Sequence, residues 1–276
     1  MLDCSYVYEG VLVMCSILKF RNCMGRNFDY EVSLNEKPFK YDNPNGYDMI
    51  GMVTGLVKDY PLFYDAMNEY GLCMGGLAFD GNAHYEDFEE IDYGDYVYTP
   101  YNFILKILSS FKTVGEVKEH LKKAHIFNKP FSKEFPNSDL HWFVCDKKQS
   151  IVIESTKDGL NVYDNPFDVM TNNPPFDEIL KYKSRGTVTK GLTGDYTSQS
   201  RFDRLCYLKD CCIGKELPCN DIQQTFHLLA SVEQSYGATP VRNRYEYTMY
   251  SVVYDMENLS MYVRSYDGSR NNGVLK

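Results

Sequence analysis

Strand-forming segments at both ends of the chain enclose a middle with helical periods, and this arrangement restricts the fold more than any other feature. Residues 15 to 20 (CSILKF) and 23 to 31 (CMGRNFDYE) flank only Arg21 and Asn22, a spacing that predicts a tight hairpin beginning at Cys15. His141 to Cys145, Ser150 to Ser155 and Leu160 to Tyr163 read as a meander, and Tyr245 to Tyr254 with Leu259 to Tyr266 as a closing hairpin. Between and after them come helices. Thr99 and Pro100 fit an N-cap and first turn for a helix with Phe103, Ile104, Ile107, Leu108 and Phe111 on one face. Thr113 with Glu116 fits a capping box before Val114, Val117 and Leu121. Ser198 can cap a helix through Phe202, Leu205 and Leu208, and Asn220 with Gln223 starts one that runs through Phe226 and Leu229 to a stop at Gly237. No repeat or linker divides the sequence, so the expected fold class is α+β, one domain with helices layered on antiparallel sheets.

Lys and Arg total 29 against 38 Asp and Glu, a formal net charge of -9, and no basic run can track a phosphate backbone. Nucleic acid is therefore not an expected partner. No stretch of about 18 apolar residues occurs, and the first residues, with Asp3 and Glu9 and no basic flank, do not form a signal peptide. A soluble cytoplasmic protein with no membrane partner is expected. Nine cysteines, an odd number, fit reduced thiols rather than a disulfide framework. Cys206, Cys211, Cys212 and Cys219 cluster without C-x-x-C spacing or a completing histidine, so they read as buried or half-buried thiols on and after a helix. His120 and His125 read as surface histidines on a helix, one residue beyond the i, i+4 spacing that converges on a metal. Neither a metal nor an organic cofactor is expected.

Cys15 is one thiol among nine until its neighbour is considered. Met14 directly precedes it, so translation from Met14 and removal of that Met would give Cys15 a free α-amine. Such an amine, with a pKa of about 7.7 to 8.0, can take the thiol proton and later protonate a leaving amine, with no histidine needed. While the nitrogen is acylated it has no basic lone pair. Residues 1–14 are accordingly expected to be a non-native or removed extension, through a start at Met14 or self-cleavage, and residues 15–276 the domain.

Cys15 followed by Gly25-Arg26-Asn27-Phe28-Asp29 resembles the opening of the choloylglycine hydrolases, N-terminal-nucleophile amidases that include bile salt hydrolases and penicillin V acylases. Residues 60 to 85 (YPLFYDAMNEYGLCMGGLAFDGNAHY), 169 to 177 (VMTNNPPFD), 191 to 198 (GLTGDYTS) with Ser200-Arg201-Phe202, and the hairpin from Tyr245 to Tyr266 resemble later blocks in the same order. The resemblance implies an αββα sandwich of two antiparallel sheets between helical layers, and hydrolysis of a linear amide through a thioester on Cys15. It implies Cys15 as nucleophile and α-amine base, Arg26 beside the thiolate, and Asp29 orienting the amine. Asn82 and Asn172 match oxyanion donors, each worth about 3 to 4 kcal/mol in other enzymes. Arg201 matches the distant arginine of the site, and Arg204 reads as a surface residue.

Asn82 matches a position that is typically Asn in bile salt hydrolases and Tyr in penicillin V acylases, which favours glycine- or taurine-conjugated bile acids as the small-molecule substrate. Met24, Phe28, Phe63, Phe79 and Tyr85 are the candidate apolar walls for the acyl group. The alternatives are penicillin V or another N-acyl amide such as an acyl homoserine lactone, a silent homologue that binds acyl amides without turnover, and a thiol hydrolase with a Cys–His pair. The chain also departs from the family pattern. Its opening hairpin is shorter, so an odd-residue change must be absorbed in the turn or a bulge to keep Arg26 facing Cys15. The insertion that helps to hold family tetramers together is reduced to EILKYKSRGTVTK, which implies a monomer, a dimer or a different homo-oligomer. Few residues follow the closing hairpin, which implies a trimmed C-terminus or an incomplete gene.

Overall fold

The computed structural model describes residues 14–87, 94–184, 194–241 and 243–275. Strands β1 (Ser16–Phe20), β2 (Cys23–Tyr30), β3 (Glu36–Tyr41), β4 (Met49–Thr54), β5 (Phe63–Asn68) and β6 (Cys73–Ala78) come first. The middle holds β7 (Val97–Tyr98), α1 (Phe103–Ser110), α2 (Val114–Leu121), β8 (His125–Ile126), β9 (Leu140–Cys145), β10 (Ser150–Thr156), β11 (Gly159–Asp164), β12 (Val169–Met170) and α3 (Phe176–Ser184). Last come α4 (Ser198–Cys212), α5 (Asp221–Ala230), β13 (Thr239–Val241), β14 (Arg244–Asp255), β15 (Ser260–Ser265) and β16 (Arg270–Val274). One antiparallel sheet runs β12-β1-β2-β14-β15-β16 with β13 on β14; a second runs β11-β10-β9-β6-β5-β4-β3.

Side-chain alternation explains why the sheets stack. On β9, Phe143 and Cys145 enter the core shared with β2 and β14, whereas Trp142 and Val144 enter a separate core under α1 and α2. The first sheet is likewise covered on its outer face by α4 and α5, through Phe202, Leu205, Phe226 and Leu229. The central strands of both sheets are thus buried on both faces, which is the expected αββα sandwich. The opening hairpin pairs Phe20 with Cys23 and Ser16 with Asn27 without a bulge, so the shortened turn keeps the register.

Several boundaries differ from expectation. Helix α1 starts at Phe103, because Thr99 and Asn102 bond each other in a preceding turn and Thr99 caps no helix. Thr113 caps α2 as expected, accepting from the Glu116 N–H, and Asn220 likewise caps α5. Thr197, not Ser198, caps α4. Helix α5 ends at Ala230, short of Gly237, because Gln234 is drawn into backbone and side-chain bonds with Thr248 of β14. A further edge strand, β16, follows the closing hairpin. His120 and His125 are half-buried and share no helix: α2 ends at Leu121, His120 Nε2 meets the Tyr98 hydroxyl at 2.6 Å, and His125 faces Glu86 at 3.0 Å. The block from Gly191 to Thr193, like residues 1 to 13, lies outside the described residues. Among the described residues, no helix is long and apolar enough to cross a membrane.

Candidate active site

The site forms where β1 and β2 meet the second sheet. Cys15, just before β1, is buried against β2, its thiol 3.9 Å from the Asp29 carbonyl and 3.7 Å from Arg26 Nη2. Strand periodicity puts Arg26 and Asp29 on opposite faces of β2. Arg26 points between the sheets, where Nη1 reaches Asp65 Oδ2 at 2.6 Å and the Tyr64 carbonyl at 2.5 Å, and Nη2 reaches the Gly76 carbonyl at 2.6 Å. A bulge at Tyr64, between the pairs Met52–Asp65 and Val53–Phe63, takes that carbonyl out of the regular ladder and presents it to the guanidinium. Asp29 faces the other way, its carboxylate held by the Gln234 amide at 2.8 Å and by the Thr248 hydroxyl.

A second cluster holds the main chain of Cys15. Its N–H donates to Asn172 Oδ1 at 2.8 Å, while Arg201 Nη1 donates to its carbonyl at 2.5 Å and to Ser16 Oγ at 2.7 Å. Arg201 Nη2 also reaches Asn172 Oδ1 at 2.9 Å, and Asn172 Nδ2 donates to the Ala78 carbonyl. The structure therefore brings Cys15, Arg26, Asp29, Asn172 and Arg201 together. Among the described residues no hydrogen bond joins Asn82 to them; its Nδ2 lies 3.3 Å from the Asp80 carbonyl, within its own turn. Arg204 is not on the surface: α4 is covered at this point, and the guanidinium bonds the Ser231 and Asp195 carbonyls at 2.7 and 2.6 Å.

Electrostatics follow from burial. Desolvation pushes the Cys15 thiol up to about 11, with Arg26 opposing that shift and Asp29 adding to it. Burial also raises Asp29 to about 6, although Arg201, Thr248 and Gln234 favour its charged form. A thiol in this position is neutral near pH 7 and becomes a nucleophile only when a base takes its proton. Among the described residues no group of His, Cys, Asp or Glu is arranged to hold a metal ion.

Cys15 and Arg26 lie at the base of a cavity of about 410 Å³, walled by Phe28, Tyr30, Phe63, Tyr101, Ile104 and Phe131. Of the five residues expected as acyl walls, Phe28 and Phe63 line it. Met24 does not, because it lies one repeat nearer the hairpin turn and packs in the core between the sheets. Phe79 is stacked on His141, with ring centroids 4.5 Å apart, and Tyr85 turns toward Trp142 in the outer core while its hydroxyl bonds the Leu140 N–H. Sequence reasoning missed Asp65, Gln234, Thr248 and Glu246. Asp65 and Glu246 did carry a signal, since each is a carboxylate inside a strand otherwise rich in apolar and aromatic residues.

Two antiparallel sheets between helices, with a cysteine presented at the edge of the opening strand, define the N-terminal-nucleophile class of hydrolases. The model of the choloylglycine hydrolase family, linear amide C-N hydrolases, matches residues 15–184 and 178–274. The chain belongs to this family and is a cysteine hydrolase of linear amide bonds. It is 40% identical to a bile salt hydrolase/transferase of Lactiplantibacillus plantarum, over 95% of this chain and 92% of that protein. A bile salt hydrolase/transferase of Clostridium perfringens is 35% identical, over 91% of this chain and 87% of that protein. The crystal structure of the R18L variant of conjugated bile acid hydrolase from the same organism superposes with a TM-score of 0.83 at 31% identity, covering 95% of this chain and 92% of that one. The structure of penicillin V acylase from Agrobacterium tumefaciens shares the fold, with a TM-score of 0.73 at 20% identity, covering 94% and 84%.

Proposed function

We infer that this protein deconjugates bile salts, hydrolysing the amide between a bile acid and glycine or taurine through a thioester on Cys15. The carrying observation is the Cys15 thiol beside Arg26 in a cavity whose walls are mainly aromatic and aliphatic, with polar groups at Asp80, Asn137, Ser138 and Asp139, a lining suited to a large apolar acyl group with a few polar contacts. The relatives named as bile salt hydrolases support the same reading. On this reading Cys15 starts the domain, and the preceding residues are absent from or removed in the active form. Asn172 and Asp29 then orient the free α-amine, which takes the thiol proton as sulfur attacks the amide carbon. The tetrahedral intermediate expels the amine of glycine or taurine, protonated by the same α-ammonium, and water resolves the thioester. The Asn172 main chain and Asn82 serve as oxyanion donors, Asn82 by releasing the Asp80 carbonyl. The reaction takes place in the cytoplasm.

The test compares the full 276-residue chain with one beginning at Met14, both assayed on conjugated bile salts and penicillin V, with intact mass reporting whether Cys15 is N-terminal. Bile salt turnover only by protein with a free Cys15 is expected. A folded protein with a free Cys15 and no turnover of bile salts would overturn the reading. Material from the native gene should begin at Cys15, and a peptide starting at Met1 would contradict a start at Met14.

A further inference from the structure

The partner of Arg26 is itself held. Asp65 is fully buried on β5, and three side chains from the opposite sheet converge on it: Arg26 Nη1 at 2.6 Å and the Tyr250 hydroxyl at 2.7 Å on Oδ2, and the Tyr254 hydroxyl at 2.5 Å on Oδ1. Tyr250 and Tyr254 lie four residues apart on β14 and so project from one face of the strand. Gly75 lies against the network: a Cβ there would stand 2.9 Å from the end of the Ile17 side chain, and at ordinary contact distances of 3.4 Å from the Asp65 side chain and 3.8 Å from that of Arg26. We propose that Asp65 is a positioning residue of this site: clamped by Tyr250 and Tyr254, its carboxylate holds Arg26 Nη1, aims Nη2 at the Cys15 sulfur and sets how much of the guanidinium charge reaches it.

This rests on the reading of Cys15 as the nucleophile. The charged and titratable groups packed against the network are Cys15, Cys73 of β6 and the two phenols of β14, while Asp29, on the opposite face of β2, and Arg201 of α4 act on Cys15 by charge. Burial and the Asp65 charge keep both phenols well above their usual range, so they act as donors and Asp65 as acceptor. Burial opposes the charge on Arg26, and the Asp65 carboxylate beside it offsets that cost and keeps it protonated. Asp65 and a Cys15 thiolate are therefore competing counter-ions for one buried guanidinium. While Asp65 holds it, the resting thiol keeps its proton for transfer to the base.

The competition has a sign that can be measured. In the full chain the Cys15 nitrogen is an amide, so the pH series of Cys15 alkylation by iodoacetamide, followed by mass spectrometry of its peptide, reads the thiol alone. Asp65→Asn keeps the side-chain shape but leaves Arg26 uncompensated, still held by the Tyr64 and Gly76 carbonyls. Its alkylation midpoint is expected to fall by about one pH unit or more. Tyr250→Phe removes a donor from Asp65 Oδ2, makes the carboxylate a stronger partner for Arg26, and should raise the midpoint by roughly 0.3 unit. In protein beginning at Cys15, Asp65→Asn should lower kcat roughly tenfold with little change in KM. A residue that only fills the core would lower Tm and leave the midpoints in place. An unchanged or raised midpoint in folded Asp65→Asn overturns the proposal; if that variant does not fold, an unchanged or lowered midpoint in Tyr250→Phe does so. Turnover that survives Cys15→Ala would instead remove the underlying nucleophile reading, whatever the alkylation midpoints are.

Discussion

Glu246 shows how much one buried group can reveal. It lies fully buried on β14, one oxygen accepting the Met14 N–H and the other with no hydrogen-bond partner among the described residues. Burial, helped by the nearby Asp29, pushes its carboxyl up to about 8 from an ordinary 4.5. A carboxyl raised in the folded state contributes stability that is complete below about pH 4.5 and is lost as the pH climbs through about 8. Glu246→Gln cannot ionise. Its Tm is expected to match the parent at pH 5 and to exceed it by roughly 4 °C or more at pH 9, measured by calorimetry on the full chain. An equal difference at both pH values would mean that Glu246 does not titrate as its surroundings imply.

Among the elements, β2 does the most to position the site, because all eight of its residues are buried and its two faces serve different partners. Met24, Arg26, Phe28 and Tyr30 face the second sheet, whereas Gly25, Asn27 and Asp29 face the helical layer. Asn27 Nδ2 donates to the Leu229 carbonyl of α5 at 3.0 Å. Gly25 is needed for the same approach: a Cβ there would lie 2.5 Å from Thr225 Cγ2 and 3.1 Å from Leu229 Cδ1. Gly25→Ala should therefore push α5 away from β2 and cost about 1 to 3 kcal/mol in a denaturant titration. A loss below about 0.5 kcal/mol would show that α5 yields without strain.

On the scale of the whole molecule, the two cores report on different layers. Trp142, the only tryptophan, is wholly buried beneath α1 and α2, whereas Cys15 lies against the first sheet. If the layers unfold as one unit, Trp142 fluorescence and the exposure of Cys15 to alkylation should change at the same denaturant concentration. Separate midpoints would show that the helical side of the second sheet opens independently. The sequence by itself determined the opening hairpin and the capped starts of α2 and α5, because turn length, strand period and capping act over a few neighbouring residues, while the grouping of Cys15, Arg26 and Asp29 was legible through the family resemblance. Only the tertiary structure decided that Asp65 clamps Arg26, that Arg204 is buried, and that Phe28 and Phe63 line the cavity while Met24, Phe79 and Tyr85 pack elsewhere. Arg26 and Asp65 stand 39 residues apart, and Asp65 and Tyr250 185 apart. No local period connects such residues; they meet because each sheet buries one face against the other, and that stacking fixes which side chains share the space between them.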